Sequence, residues 1–542
     1  MKVFRRHCFV AIAPRNDIYA KKMKQILCPP ILLAVFLFCK GLLAQDYGDA
    51  LVSGSIADAR TLVPILASDS ASAEVCGMIF NGLVKYDKDI NLVGDLAESW
   101  EIQDEGLTII FHLRKNVFWQ DGAPFSAADV EWTYQKLIDP AVPTPYSGDF
   151  IKVKSLQVID PHTVKVSYGE PFAPGLASWG MPIMPKHIPF FSERPIGTGP
   201  YKFKSWKAQE KIELVSNADY FEKRPFISRW IYRVIPDEAA LFLELQAQGI
   251  DLSGLTPLQY KRQTDSAFFK ENYRKFRLQS FGYTYLGYNL NNPLFQDLRV
   301  RQALNYAVDK EEIIKGVLLG LGRVCAGPFV PESWAYNQDV KPADFSPRKA
   351  KGLLREAGWT DSDKDGWLDR EGTRFEFTIL TNQGNLERQR AAEIIQARLK
   401  DVGIKVKIRV VEWSVFLTEF INKRHFEAVL LGWALGREPD CYDIWHSSKT
   451  KEGEFNFAGY SNPEVDRLLE EGRRTFDQNK RKEAYHQIQR ILYEEQPYMF
   501  LYIPDALPII SSRFEGIIPA PIGLSYNLID WWTPKAKQRY KQ

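Results

Sequence analysis

The clearest structural signals in this chain of 542 residues lie in residues 92–137, whose sequence is LVGDLAESWEIQDEGLTIIFHLRKNVFWQDGAPFSAADVEWTYQKL. Within it, Leu107–Leu113 (LTIIFHL) is rich in β-branched and aromatic residues, which predicts a strand. Ser126 and Asp129 have the spacing of a capping box, so a helix should begin there and continue to Leu137. A strand followed by a capped helix indicates a mixed α/β domain.

Strands and helices continue to alternate on both sides of this segment, which favours an α/β protein. Strands are predicted at 51–57, 107–113, 156–159, 163–167, 212–215, 375–381, 404–411 and 426–432. Helices are predicted at 73–83, 241–248 and 386–402, and from the capping residues Asp297, Asp309, Ser346 and Asn462. A single core rarely exceeds about 250–300 residues, so this chain should form two or three domains.

The charge balance argues against nucleic acid as a partner. Of the 70 basic and 67 acidic residues, eight and one lie in residues 1–44, which leaves 62 basic and 66 acidic residues, a net charge of about −4. Binding to a phosphate backbone requires a basic surface. We therefore expect no nucleic-acid partner.

The N-terminus, residues 1–44, has the composition of a secretory signal peptide. Basic residues at 21–24 (KKMK) precede the apolar stretch Ile26–Phe38, and Ala44 lies just before the first polar residues. The apolar stretch is shorter than the roughly 20 residues of a membrane-spanning helix. We expect export to the periplasm, with an uncleaved N-terminal anchor as the alternative. Cys39 follows a bulky aromatic residue, so no lipid anchor is expected there.

The sequence contains none of the common catalytic or nucleotide-binding motifs. G-x-S-x-G, H-E-x-x-H, G-x-x-x-x-G-K-[ST] and C-x-x-C are absent, and no histidine pair has metal-ligand spacing on a helix. We predict no catalytic residues, no cofactor and no enzymatic activity. The alternative is an exported hydrolase that uses carboxylates distant in sequence.

Beyond the leader, Cys76, Cys325 and Cys441 allow at most one disulfide. The sequence does not decide whether Cys325 and Cys441 form it.

One acidic loop has part of the pattern of a calcium site. Asp361, Asp363 and Asp365 alternate and are followed by Gly366, as in the first half of a calcium-binding loop. The closing glutamate is missing, because position twelve is Gly372. The pattern favours a surface turn, with a bound calcium ion as the alternative and no other metal site expected.

A set of short motifs occurs in the order found in one protein family. They are LVGDLAESW at 92–100, FHLRKN at 111–116, DGAPFS at 121–126, GTGPY at 197–201, NLNNPLF at 289–295, RVRQAL at 299–304, AGW at 357–359, GW at 432–433, PD at 439–440 and YSNPEVD at 460–466. Together they resemble the bacterial family 5 extracellular solute-binding proteins. This family contains the oligopeptide- and dipeptide-binding proteins of ABC transporters.

The resemblance implies an α/β fold of three domains in two lobes, of the periplasmic-binding-protein type II-like kind with an extra inserted domain. Lobe I would combine residues 45–83, 196–280 and 496–542. The inserted domain would be residues 84–195, and lobe II would be residues 281–495. Strands near Phe281–Tyr285 and Pro497–Tyr502 would form the hinge. Ligand would bind between the lobes, and closure would bury it.

The resemblance also assigns ligand contacts by position. The assigned residues are Ser68, Asp69, Ser70, Tyr146, Tyr285, Trp413, Trp433, Leu435, Gly436, Glu438 and Asp440. A bound peptide would pair its backbone with residues 68–70 and with the segment after the Gly-Trp motif, as an added strand does. Tyr285 and Trp413 would form apolar walls, with ordinary core packing as the alternative.

The segment after the Gly-Trp motif departs from the family pattern. Peptide-binding members place an aspartate two or three residues beyond it, where it pairs with the α-ammonium of the ligand. Here Leu435 or Gly436 has that position. A buried ammonium without a counter-charge costs on the order of several kcal/mol. Either Glu438, Asp440 or Asp69 replaces the aspartate, or the ligand has no free amino group.

The expected function is capture of a short peptide and its delivery to an ABC permease. The protein would be a monomer that contacts the membrane only through that permease. Nickel chelates, oligosaccharides and opines, which other members carry, are alternative ligands. Arg437 would favour an anionic ligand, but a solvated surface arginine is the favoured interpretation of this residue. A peptide-binding chaperone or sensor without a permease is a further alternative.

Overall fold

Lobe I contains a sheet that combines strands from the early and late parts of the described chain. The strand Gly48–Ser55 pairs in parallel with Ile227–Val234 on one side and with Leu252–Gly254 on the other. The computed structural model describes residues 45–190 and 194–540, so the predicted signal peptide and Cys39 lie outside the described residues. The order of the seven strands is Tyr273–Lys275, Pro508–Ser511, Leu252–Gly254, Gly48–Ser55, Ile227–Val234, Lys211–Ser216 and Tyr201–Lys207.

Helices cover both faces of this sheet. Because side chains alternate along a strand, Leu51 packs on the core beneath the helix Ser70–Ile79, and Val52 packs on the opposite core. Lobe I also contains the helices and helical turns Pro64–Leu66, Glu238–Gln246, Gln259–Gln263, Ala267–Asn272, Ser525–Asp530 and Lys535–Lys537.

An ion-pair network holds three distant segments of lobe I together. Arg513 donates from Nε to Asp251 Oδ1 at 2.9 Å and from Nη2 to Asp251 Oδ2 at 2.7 Å, and it also pairs with Asp49. The side chains of all three residues are at most 5% exposed. Asp251 accepts a further hydrogen bond from Val52 N at 3.0 Å. The network therefore connects the first strand, a middle strand and the C-terminal segment.

The inserted domain is built on a four-stranded antiparallel meander. Its strand order is Ala97–Gln103, Thr108–Leu113, Thr163–Tyr168 and Val153–Asp160, beside the hairpin Val84–Tyr86 and Leu92–Gly94. The helix Ala127–Ile138 begins at the predicted capping box, in which Asp129 accepts from Ser126 N at 2.9 Å. Shorter helices lie at Asp104–Gly106, Ser147–Phe150 and Pro174–Ser178.

Lobe II has a second sheet of seven strands. Six are in the order Leu278–Gln279, Tyr498–Ala506, Gly282–Tyr288, Ala428–Ala434, Glu376–Asn382 and Lys405–Val411, and Gly322–Val324 pairs with Tyr498–Ala506. A separate pair is Asp369–Arg370 with Thr373–Arg374. The helices are Pro293–Gln296, Leu298–Ala307, Lys310–Gly316, Pro347–Glu356, Leu386–Lys400, Trp413–Val415 with Phe416–Ile421, Tyr442–Trp445, Ser447–Lys449, Pro463–Arg474 and Gln478–Glu495.

Most predicted helix starts are found where capping residues indicated them. Asp297, Asp309, Ser346 and Asn462 each accept hydrogen bonds from first-turn N–H groups. The helical region after Asn462 is two helices, because Asp477 accepts from the backbone N–H groups of the next helix and begins it.

The lobes are connected where strands run antiparallel. Leu278 pairs with Ala506, and Gly282–Tyr288 pairs with Tyr498–Ala506, close to the predicted hinge strands. Residues Asp46–Gln542 form one compact unit, and the domain limits given above stay a prediction. Among the described residues, no helix has the length and apolarity needed to cross a membrane.

Candidate functional site

The junction of the lobes contains an unpaired strand edge. The strand Ala428–Ala434 pairs along its whole length with Gly282–Tyr288. Its other edge pairs with Glu376–Asn382 only at Ala428 and Val429. Beyond Val429, no described strand pairs with that edge, and Thr381 Oγ1 donates to Leu430 O at 3.1 Å. The Gly-Trp motif, which lies beyond Leu430, is therefore on backbone that can accept an added strand.

A cavity of about 380 Å³ lies between the lobes. It is lined by Ser55 and Gly254, which end two parallel strands of lobe I, and by Glu238 at the start of the helix after a third. Lobe II contributes Glu387. Ligands of open α/β sheets bind outside the carboxyl ends of their parallel strands, as this cavity does.

A second cavity, of about 550 Å³, lies on lobe I beside the strands that connect the lobes. Its wall includes Glu74, Trp230, Tyr232 and Leu278, and Tyr86 from the inserted domain lies on its rim. Burial raises the pKa of Tyr86, and the charges of Glu438, Arg481 and Arg437 in lobe II also act on it. Tyr86 is therefore within electrostatic range of the lobe II segment that follows the Gly-Trp motif.

Tyr285 lies within the core of lobe II. Its ring stacks on Tyr498 with centroids 4.0 Å apart and planes 9° apart, and the side chain is fully buried. The ring of Trp433 is nearly parallel to it, with the centroids 6.4 Å apart. The structure therefore favours the core-packing alternative for Tyr285, because its ring is fully buried and stacked on Tyr498.

Trp413 and Trp433 have different surroundings. Trp413 is 47% exposed and stacks on Phe416 at 5.7 Å. Trp433 is half-buried and packs against Phe457 and the exposed ring of Phe455. Trp413 is thus available as an apolar wall, whereas Trp433 connects the core to the surface.

The candidate residues before the first helix have a structural role there. Asp69 begins the helix, because its carboxylate accepts hydrogen bonds from Ser72 N at 2.8 Å and from Ser72 Oγ at 2.7 Å. Ser68 and Ser70 flank it. Tyr146 of the inserted domain donates from its hydroxyl to Ala67 O and so anchors this segment.

The segment from Leu435 to Asp440 is held by internal pairs. Leu435 N donates to Phe281 O at 2.8 Å, and Gly436 is exposed. Glu438 forms an ion pair with Arg481. Asp440 accepts from Arg473 Nε at 2.8 Å. Burial raises the pKa of Glu438, and the positive charge of Arg481 opposes that shift.

These contacts leave no free carboxylate among the three predicted replacements for the aspartate. Asp69 caps a helix, and Glu438 and Asp440 each pair with a buried arginine. Removing any of them from its partner would leave an uncompensated group. Arg437 has no carboxylate partner among the described residues, and its guanidinium lies 3.6 Å from the ring centroid of Phe281.

Comparison with known proteins identifies the family. The profile described as "Bacterial extracellular solute-binding proteins, family 5 Middle" matches residues 91–455. The oligopeptide-binding protein AppA of Bacillus subtilis (strain 168) is 36% identical over 509 residues, covering 91% of this chain and 92% of AppA. This chain belongs to family 5 of the bacterial extracellular solute-binding proteins.

Solved structures of family 5 members have the same bilobal fold. AppA from Bacillus subtilis in complex with a nonapeptide superposes with a TM-score of 0.78 at 35% identity, covering 91% of this chain and all of AppA. NikZ from Campylobacter jejuni in complex with Ni(L-His) also has a TM-score of 0.78, at 29% identity, with coverage of 90% and 99%. The bilobal α/β prediction is therefore confirmed.

Two features of this family 5 protein were not predicted from its sequence. Glu74 lines the larger cavity without an ion pair or hydrogen bond to any described residue, and Tyr232 lies beside it. Glu74 is on the exposed face of a helix, where a glutamate is unremarkable in sequence, and Tyr232 comes from a strand far along the chain. Only the fold brings them together.

The acidic loop is a surface turn whose three carboxylates lie close together. Oxygen atoms of Asp361, Asp363 and Asp365 lie within 4.8 Å of one another, and all three residues are exposed. Asp365 also pairs with Arg374, and Gly366 N donates to Asp361 at 3.2 Å. Calcium binding stays a prediction.

Cys76, Cys325 and Cys441 are buried and unpaired.

Proposed function

We propose that this protein binds a short peptide between its lobes and delivers it to the permease of an ABC transporter. The observation that carries the proposal is the match to an oligopeptide-binding protein over about nine-tenths of both chains. We also propose a role without catalysis or cofactor, which the match to a family of solute-binding proteins supports. We further propose that the mature protein is periplasmic and monomeric.

The unpaired edge of the strand Ala428–Ala434 supports a peptide ligand. An extended peptide that adds to this edge would gain main-chain hydrogen bonds that do not depend on its side chains. Trp413 of the same lobe offers an exposed aromatic ring. Hydrogen bonds to the peptide backbone would provide affinity, and aromatic surfaces would contact the peptide side chains without selecting among them. This combination suits a protein that accepts many peptide sequences.

Peptides should stabilise the folded protein. A ligand present at 100 times its dissociation constant adds about 2.7 kcal/mol to the free energy of unfolding. We expect mixed peptides of two to nine residues to raise the thermal midpoint of the protein purified without residues 1–44, and native mass spectrometry to identify the bound peptides. Free amino acids of the same composition are the control, because they cannot add as a strand.

The mode of binding has its own test. Hydrogen exchange should slow at residues 431–434 when peptide binds, and backbone N-methylation of the best peptide should weaken binding about tenfold, because it removes donor groups. If mass spectrometry instead finds one bound compound that is not a peptide, and that compound stabilises the protein, the ligand is not a peptide but the transport role is kept. Absence of stabilisation by any peptide pool would refute the proposal.

A further inference from the structure

Lobe II contacts the inserted domain through residues that are not part of the strands connecting the lobes. The helix Pro463–Arg474 ends at this contact, and the carbonyl oxygen of Arg473 accepts a hydrogen bond from Ala173 N at 2.8 Å. Both residues are buried, with exposed fractions of 9% and 6%. A main-chain hydrogen bond between buried residues of two domains indicates a close-fitting contact.

Phe476 packs into the inserted domain next to this hydrogen bond. Its half-buried ring contacts the apolar core of that domain, although the residue comes from lobe II. A Cβ atom placed on Gly106 would lie 2.5 Å from Cδ2 and Cε2 of Phe476. The ring therefore occupies the space that a side chain at position 106 would need.

An ion pair borders the same contact. Arg474 Nε donates to Glu170 Oε2 at 3.1 Å, and both side chains are 54% exposed. An exposed pair contributes little to stability by itself, but here it adds to the buried hydrogen bond and the packed ring. We call this contact the latch, and it consists of Arg473, Arg474 and Phe476 of lobe II with Gly106, Glu170 and Ala173 of the inserted domain.

Polar contacts fix the inserted domain to lobe I. Asn81 Nδ2 donates to Asp95 Oδ2 at 2.9 Å, and Gln120 Nε2 donates to Tyr201 O at 2.7 Å. We therefore expect the inserted domain and lobe I to move as one body, which the connecting strands join to lobe II. A rotation about those strands that opens the cleft would separate the latch residues, because they belong to opposite bodies.

Arg473 also connects the latch to the candidate ligand site. Its guanidinium donates from Nε to Asp440 Oδ2 at 2.8 Å and lies 3.8 Å from the ring centroid of Tyr442. Asp440 lies in the segment that follows the Gly-Trp motif. Arg473 thus holds that segment through its side chain and the inserted domain through its carbonyl group.

We propose that the latch stabilises the closed arrangement of the lobes and keeps part of the ligand-free protein closed. The inference goes beyond the proposed function, because it does not depend on the identity of the ligand. A ligand that binds only the closed arrangement has an apparent dissociation constant equal to its intrinsic value divided by the closed fraction. The latch therefore raises the affinity for every such ligand by the same factor, without contacting any of them.

Small-angle X-ray scattering of the ligand-free protein, purified without residues 1–44, tests the latch directly. Phe476→Ala removes the ring from the inserted domain and should increase the radius of gyration, because the closed fraction falls. Phe345→Ala is the matched control, since it removes an exposed ring of lobe II that is not part of the latch, and it should leave the radius unchanged. An unchanged radius in Phe476→Ala would overturn the latch.

Charge reversal gives an independent test at exposed positions, where the fold should tolerate substitution. Glu170→Arg places two positive charges opposite each other and should increase the radius of gyration. Adding Arg474→Glu to this variant restores opposite charges and should return the radius towards the wild-type value. That rescue requires direct contact between the lobes in solution, so equal radii of the single and double variants would overturn the ion pair as part of the latch.

Calorimetry with three pentapeptides separates a latch residue from a ligand contact. The peptides are Ala-Leu-Ala-Phe-Ala and its forms with lysine or glutamate at the central position. Phe476→Ala should weaken all three by one common factor of up to about tenfold, because a half-buried ring loses its apolar contacts in the closed arrangement. Factors that differ among the peptides would show that Phe476 contacts the ligand and would overturn the latch.

The outcomes also separate this inference from the proposed function. An increased radius of ligand-free Phe476→Ala, together with no binding of any peptide to the wild-type protein, would keep the latch and refute peptide binding. Peptide binding by the wild-type protein, together with unchanged radius and affinities in Phe476→Ala, would keep the proposed function and overturn the latch.

Discussion

Arg513→Met should lower the free energy of unfolding of lobe I by about 3–5 kcal/mol, because it leaves two buried carboxylates without a counter-charge. Asp49 is 1% exposed and Asp251 is 2% exposed, so water cannot replace the arginine. Arg513 also donates to Ala50 O at 2.6 Å, and this hydrogen bond is lost too. Urea unfolding followed by tryptophan fluorescence measures the change, since Trp230 and Trp531 report on this lobe.

Two controls define the cause of that loss. Arg467→Met removes an exposed arginine that pairs with Glu464 and Glu471, and should change stability by about 1 kcal/mol or less. Arg513→Lys should rescue little, because an ammonium cannot reproduce the forked contacts of a guanidinium with both carboxylates. Equal stability of Arg513→Met and Arg467→Met would contradict the importance of the network.

Gly197→Ala should destabilise the protein by about 3 kcal/mol or more, because the added methyl group has no space. A Cβ at Gly197 would overlap the carbonyl oxygen of Ile79 and lie 2.6 Å from its carbonyl carbon. Ile79 ends the helix that begins at the ligand-site candidates, and its carbonyl accepts from Gly199 N at 2.8 Å. The backbone must move for the substitution to be accommodated, and no flexible side chain can relieve the overlap.

The matched control for Gly197 is Gly352→Ala. Gly352 lies inside the helix Pro347–Glu356, and an added Cβ would meet no atom within 4 Å. Alanine should stabilise this helix by about 0.5–1 kcal/mol. Thermal unfolding of both variants gives the comparison, and a Gly197→Ala protein as stable as wild type would show that the segment can shift without cost.

Features decided by neighbouring residues were predictable from sequence. The capping box of Ser126 and Asp129 and the caps at Asp297 and Asp309 depend on side chains that reach only two or three residues along the chain. Composition and residue spacing therefore sufficed for the helix starts. The bilobal fold was predicted from the family resemblance, since local signals alone indicated only an α/β protein.

The chemistry of the candidate site was not predictable in the same way. Glu438 and Asp440 have the residue type expected of an ammonium partner, yet their charges are matched by Arg481 and Arg473, which are far along the chain. Tyr285 has the residue type of a ligand wall, but it lies in a strand covered on both faces. Sequence shows which groups exist, whereas the fold decides which of them remain without partners.

The network at Arg513 also affects the order in which the protein can be completed during synthesis. Asp49 is made near the start of the chain and Arg513 near its end, and Asp251 lies between them. At about 5–20 residues per second, the two aspartates wait on the order of tens of seconds for their counter-charge. Lobe I therefore reaches its full stability only after nearly the whole polypeptide has been made.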